Sequence, residues 1–163
     1  MPTHEFTYHP ATLPELDAIG DKNIADNPGN DSWIAWKESS IERHQAGLAK
    51  TFVVVRGDAP IGEGTLIFSP DVPGICKELA DGATTVNINA LRMDKRYESQ
   101  GHISKLVKVM EQYARNAGYK VITIGVEARE TRNLAIYLHW GFTTFVMSEM
   151  DDGELVLYYS KNL

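Results

Sequence analysis

Cysteine is almost missing from this chain of 163 residues. Cys76 stands alone, so neither an intramolecular disulfide nor a cysteine-based zinc site is open to it. No local signature marks Cys76 as a nucleophile. Long apolar runs are missing too: none approaches the roughly 18 residues needed to cross a bilayer. Positive charge is in deficit, with 16 Lys and Arg against 22 Asp and Glu, a net charge of −6. Without a basic tract, non-specific nucleic-acid binding is disfavoured, and the acidity reads as a contribution to solubility. The five histidines, His4, His9, His44, His102 and His139, form no ligand-spaced set, so no metal is implied. A Gly-x-x-x-x-Gly-Lys-Ser/Thr pattern is absent, which disfavours nucleoside triphosphatases. No repeat, linker or low-complexity tract divides the chain, and its length suits one domain over residues 1–163. The opening Met-Pro-Thr-His-Glu has neither the basic nor the apolar region of a signal peptide, and a reducing cytoplasm is the expected location.

What the chain does have is concentrated between Thr85 and Phe145. The run Val86-Asn87-Ile88-Asn89-Ala90-Leu91-Arg92-Met93 alternates with a period of two, which predicts a strand. A polar turn, Asp94 to Gln100, leads to Gly101. Ile103, Leu106, Val107, Met110, Ala114 and Ala117 then recur at helical spacing, and Gly118 stops the helix. Val121–Val126 reads as a buried strand, and Thr131–Trp140 as a helix ending at Gly141. Strand, helix and strand make a βαβ unit with parallel strands and a right-handed crossover. At its turn, the amides from Ser99 to Ser104 lead into a helix without partners, beside the positive end of the helix dipole. That is an anion site suited to phosphate, with Gly101 allowing close approach and a positive φ. A plain turn before an ordinary helix is the alternative.

The remaining elements are shorter. Phe6 and Tyr8 predict a first strand ended by Pro10, and Leu13–Ile24 a helix with Thr12 as N-cap and Pro14 near its start. After the break at Asn27-Pro28-Gly29-Asn30, a second helix capped by Asp31 or Ser32 presents Trp33, Trp36, Ile41 and Leu48 as a buried stripe. The two tryptophans could instead line an acceptor pocket. Thr51–Arg56 and Ile61–Phe68 form a hairpin, with Glu63 between Gly62 and Gly64 expected as a solvated strand residue. Ser69–Thr84 is a loop. Phe142–Met147 and Leu155–Tyr159 close the chain as a hairpin around Asp151-Asp152-Gly153, which offers an edge to a second copy.

The order of these elements resembles the GNAT superfamily of acetyl-CoA-dependent N-acetyltransferases, most sharply between Val86 and Phe142. The family's Arg/Gln-x-x-Gly-x-Gly/Ala pattern corresponds to Glu98-Ser99-Gln100-Gly101-His102-Ile103, leading into Ser104. Glu98 and Ile103 depart from it, while Gly101 is retained. Tyr137-Leu138-His139-Trp140-Gly141-Phe142 resembles the family's Tyr-x-x-x-Gly-Phe helix ending. The resemblance implies a single α/β domain with a central mixed, mostly antiparallel sheet of about seven strands and helices on both faces. It implies acetyl-CoA as co-substrate, with its pyrophosphate on Ser99, Gln100, Gly101, His102, Ile103 and Ser104. Backbone groups of Leu91 and Met93 would meet the pantetheine, and Asn133 is a weaker candidate for the same arm.

In that family the tyrosine matching Tyr137 is a general acid toward the departing thiolate. A phenol of pKa about 10 stays protonated at neutral pH, while a thiol near 8.5 leaves as an anion. Asn87 and Asn89, on one face of their strand, would orient a water that carries the amine proton away, with Glu63 or Glu127 as more distant acceptors. They could equally satisfy buried neighbours. The activity implied is direct acetyl transfer to a primary amine. The acceptor is open: small amine, polyamine, aminoglycoside, amino acid or protein terminus. Three rivals keep a place, namely a non-catalytic acyl-CoA sensor, a small nucleotide-binding regulator and an interaction protein.

Overall fold

The computed structural model describes residues 5–163, so Met1–His4, part of the stretch weighed as a leader, lie outside the described residues. In chain order the elements are β1 (Phe6–Pro10), α1 (Leu13–Asp26), α2 (Ser32–Gln45), β2 (Ala49–Arg56), β3 (Ala59–Ile67) and β4 (Thr85–Met93). After a 3-10 turn at Lys95–Tyr97 come α3 (His102–Asn116), β5 (Val121–Glu127), α4 (Thr131–His139), β6 (Thr144–Asp151) and β7 (Glu154–Asn162). The strands form one sheet in the order β1-β2-β3-β4-β5-β7-β6. β4 and β5 pair parallel from Thr85–Val121 to Ile88–Ile124; β1–β2, β5–β7 and β6–β7 are antiparallel. This is the mixed, mostly antiparallel seven-stranded architecture expected. No helix among the described residues is long and apolar enough to cross a membrane. The chain forms two compact units, one running to Leu66 and including Ala90–Met110, the other Ile67–Asn89 and Glu111–Leu163.

In the first unit, α1 starts where its sequence says it should. Thr12 accepts from the Glu15 amide at 3.2 Å, and Glu15 accepts from the Thr12 amide at 3.0 Å, a reciprocal capping box. Leu16 and Ile19 then bury against Val53 and Val55 of β2, with Ile41 of α2 packed at the margin. The buried stripe expected on α2 is not formed. No α2 residue is fully buried, Leu48 is half-buried, and Trp36 is 52% exposed. The reason lies in the α1–α2 contact, which is polar. Gly20 leaves room for the alkyl stem of Lys37, whose ammonium bridges Asp17 at 2.8 Å and Asp21 at 2.6 Å.

The β3–β4 register explains the Gly62-Glu63-Gly64 triplet. The Asp94 amide donates to Ile61 O at 2.8 Å, which sets Met93, Arg92 and Leu91 opposite residues 62, 63 and 64. A Cβ at position 62 would meet Met93 Sδ at 2.6 Å; one at 64 would meet Leu91 Cδ2 at 2.7 Å and Met110 Sδ at 2.9 Å. Glycine therefore makes way for Leu91, Met93 and α3 on one face, while Glu63 projects to the opposite face, toward α1. Glu63 is not the solvated residue expected: it is only 5% exposed.

In the second unit, Ile122, Thr123 and Ile124 of β5 and Phe142 beyond α4 are buried. α3 ends at Asn116, with Gly118 at φ 93 and the Tyr119 amide donating back to Ala114 O at 3.0 Å. Ala117, expected on the buried stripe, lies past that end and is exposed. The loop before β4 is tied by Asp81, which accepts from the amides of Ala83, Thr84 and Thr85 and from the Thr84 hydroxyl. Those donors, Thr84 foremost, hold its carboxyl well below the usual range. The closing hairpin turns at Asp152 (φ 48) and Gly153 (φ 79), both left-handed as a tight two-residue loop requires.

Candidate active site

The start of α3 differs from that of α1. Gly101 precedes it at φ 85 in open space, and glycine has no side chain to cap with. The helical ladder begins with the Lys105 amide on Gly101 O at 3.1 Å. Among the described residues, no acceptor meets the amides of His102, Ile103 and Ser104. Three donors at the positive end of a helix thus have no acceptor among the described residues. Ser99 is also left-handed, φ 60, a conformation its residue type does not announce. Gln100 donates to Arg96 O at 3.4 Å, and Arg96 forks onto Asp94 at 3.0 and 3.1 Å. Glu98 is exposed, so its charge faces solvent.

His102 anchors the start of α3 to β1. It is 6% exposed, its Nδ1 accepts the Tyr8 hydroxyl at 2.7 Å, and its Nε2 meets Gln100 Oε1 at 3.4 Å. Phe6 lies against the imidazole at 4.3 Å between ring centroids. Burial, then Lys105, lowers the imidazole pKa from 6.5, so the ring is neutral at neutral pH, and a proton on Nε2, facing Gln100 Oε1, leaves Nδ1 as the acceptor. Nothing in the sequence could pair Tyr8 with a residue 94 positions away.

β4 does not run as one alternating strand. Ala90 is left-handed, φ 57, two residues beyond the end of the β4–β5 ladder. After it, the amides alternate again. Because the Asp94 amide points to β3, those of Leu91 and Met93 point to the opposite edge.

The phenol and the two asparagines belong to the second unit. Tyr137 is half-buried on α4, its ring 5.5 Å from Trp140. Burial, then Glu130, raises its pKa above 10.0, so it carries its proton throughout the neutral range. Asn133 donates to Glu130 Oε2 at 2.8 Å. Asn87 is 3% exposed and donates to Thr123 Oγ1 at 2.9 Å, and that hydroxyl in turn donates to Leu79 O at 2.9 Å. Asn89 is exposed. Of the pair expected on a wet face, one is thus sealed in the interior and one is open. Glu127, at the end of β5, pairs with Arg129 at 2.8 Å. Among the described residues no three His, Cys, Asp or Glu side chains gather as a metal site.

A third group lies entirely in the first unit, and its Asn23 and Arg92 contacts were not foreseen from the sequence. Glu63 accepts from Asn23 of α1 at 2.7 Å and from Arg92 of β4 at 3.4 Å. The Arg92 guanidinium lies 4.7 Å from the centroid of a Trp33 ring. Burial raises the Glu63 pKa even though Arg92 and Asn23 oppose the shift. Glycines flanking a lone carboxylate in a strand were the available signal.

A parallel strand pair joined through a helix with a glycine-led N-terminus defines an α/β protein whose helix start is chemically suited to an anion. Residues 15–142 match the Acetyltransferase (GNAT) family, and the chain belongs to that family of acyltransferases. Its fold is shared with solved acetyltransferases of low identity. An acetyl transferase from Salmonella typhimurium that modifies the N-terminal serine of ribosomal protein L7/L12 superposes with TM-score 0.69 at 17% identity, covering 99% of this chain and 96% of that one. An IAA acetyltransferase from Bacillus cereus gives 0.66 at 16%, covering 98% and 100%. A GNAT family acetyltransferase from Elizabethkingia anophelis, solved with acetyl-CoA bound, gives 0.60 at 18%, covering 99% and 100%. No curated protein matches the sequence.

Proposed function

We propose that residues 1–163 act as one N-acetyltransferase domain that moves an acetyl group directly from acetyl-CoA to a primary amine. The observation that carries this is the open N-terminus of α3: amides of His102, Ile103 and Ser104 without partners, behind a left-handed Gly101 with free space around it. Those donors, with Ser99 and Gln100 beside them, suit a diphosphate. Coenzyme A bound in other members of this fold makes acetyl-CoA the fitting occupant. When bound, it supplies an acetyl group activated as a thioester.

The chain's own residues then divide the work. Leu91 and Met93 offer backbone groups to the pantetheine arm, and an amide in the Met93 region stabilises developing negative charge on the acetyl oxygen. Tyr137 holds a phenolic proton for the departing thiolate. Asn89 orients a water that takes the amine proton, on a strand fixed by the Asn87–Thr123 bond. Asn133 spends its amide on Glu130 and supports the cofactor arm only by leaving that partner.

A non-catalytic acyl-CoA sensor is the second reading. It is favoured by Glu98 and Ile103, which stand where the family has Arg or Gln and a small residue. Thiol release from acetyl-CoA over a panel of amines separates the two. Acceptor-dependent release is expected. Tight acetyl-CoA binding with no release for any amine would make the sensor the better account.

A further inference from the structure

We propose that Arg92 is the acceptor-recognition residue and that the preferred amine carries an oxyanion, a carboxylate foremost. This rests on the transfer reading above and names the class of its second substrate. The geometry begins with the guanidinium. Its Nη1 touches Glu63 Oε1 at a long 3.4 Å, and among the described residues no other acceptor meets it. The Arg92 side chain is 39% exposed, against 7% for Glu63, so the arginine, not the glutamate, faces a ligand.

The guanidinium is nonetheless held. Glu63 lies on one side, directly across the β3–β4 ladder, with its second oxygen fixed by Asn23 Nδ2 at 2.7 Å. The Trp33 ring lies on another, 4.7 Å away. A planar fork held by a carboxylate and an indole face, with most of its N–H groups uncommitted, matches carboxylate or phosphonate in two-point contact. Neither a plain ammonium nor a neutral amide offers that match. The face is also the right one. Leu91 and Met93 turn their side chains toward β3 glycines and α3, and Arg92, between them, projects to the side of α1 and α2. The same three residues thus give backbone to one substrate and a cation to the other.

Of the pair only Glu63 is buried, and the exposed Arg92 side chain leaves N–H groups turned to solvent that a ligand can reach. Trp33, expected in the core, is explained as the stacking face for the cation instead.

The test measures thiol release from acetyl-CoA by the full chain. For each of several carbon skeletons, four amines are compared: the α-amino acid, its α-carboxamide, the decarboxylated amine and the aminoalkyl phosphonate. For the favoured skeleton, kcat/KM for the carboxylate should exceed that for the carboxamide by about 10- to 100-fold, the worth of a charge-assisted fork. The phosphonate arm tells whether any oxyanion serves or only a planar one. In Arg92→Gln the ratio should fall to near one through KM. Arg92→Lys, which keeps charge without the fork, should retain part of it, and Trp33→Leu should give an intermediate loss. The acetyl-CoA dissociation constant reports whether each variant is folded.

Equal rates for carboxylate and carboxamide, or a ratio that survives Arg92→Gln, would overturn the assignment while leaving acetyl transfer intact. If no amine is acetylated, the shift in melting temperature with each panel member decides. Stabilisation by the oxyanion-bearing members, lost in Arg92→Gln, would support Arg92 and sink the transfer reading instead. Absence of any such selective stabilisation would overturn Arg92. If Arg92→Gln fails to fold, Arg92→Lys and Trp33→Leu carry the same comparison.

Discussion

Two helices in the same unit begin in opposite ways. α1 is closed by its own side chains: Thr12 and Glu15 exchange bonds, and His9 meets the second Glu15 oxygen at 2.9 Å. α3 is led by a residue with no side chain, and its first amides are left without acceptors. Every helix must do something with those donors. At α1 the chain satisfies part of this need itself and the helix start serves the fold; at α3 the unmet donors suit the anion proposed above. Changing one helix start or the other should therefore move a different measurement.

The largest effect expected lies away from the two helix starts, and it checks that α3 only binds. Tyr137→Phe should lower kcat by about 10- to 1000-fold while the acetyl-CoA dissociation constant holds. Equal turnover by mutant and parent would remove the phenol from the mechanism. Next comes Gly101→Val, which forces a β-branched residue into left-handed backbone and should weaken acetyl-CoA binding about 10- to 100-fold by calorimetry. Undiminished affinity would mean that the anion site lies elsewhere. The mirror experiment is Thr12→Ala at α1. It should cost about 1 kcal/mol in denaturant unfolding and leave acetyl-CoA affinity alone.

Tyr8→Phe is subtler and reads out through pH. Because the folded His102 pKa lies below 6.5, the unfolded chain holds that proton more tightly. The stability that neutral His102 contributes is whole above pH 6.5 and is lost as pH falls through the lower folded value. Removing the Tyr8 hydroxyl takes away a donor to the neutral ring, so the melting temperature should fall more above pH 6.5 than below it, and cofactor affinity by about twofold to fivefold. An equal drop at all pH values would show that the bond does not depend on the ring's proton. Smallest of all, Glu98→Gln should tighten acetyl-CoA binding by about twofold to threefold at low salt, a gain that fades at high ionic strength.

Much of this architecture was readable from spacing alone. The change from a period of two to helical spacing across Asp94–Gln100 marked the strand and helix of the central unit, and the positive φ of Gly101 followed from residue type. Thr12 could be named as a cap because capping is local. What escaped depended on partners distant in sequence. Glu63 is buried because Asn23 and Arg92 reach it, and neither lies near it in the chain. Trp33 and Trp36 sit at core-like spacing, yet Gly20 lets the Lys37 stem fill the α1–α2 contact and leaves Trp36 outside. Tyr8 and His102 meet only once β1 is in place. The backbone features around Gly101 were legible in this way, and the side-chain contacts of Arg92 with Glu63 and Trp33 were not.

The absence of side chains at positions 62 and 64 has a mechanical consequence. The volume they leave is filled partly by two thioethers, Met93 Sδ and Met110 Sδ. A thioether is polarisable and turns about soft torsions, so it re-forms its contacts where a branched hydrocarbon would jam. The packing of β4 against β3 and α3 at these two positions thus depends in part on side chains that adapt to small changes of shape.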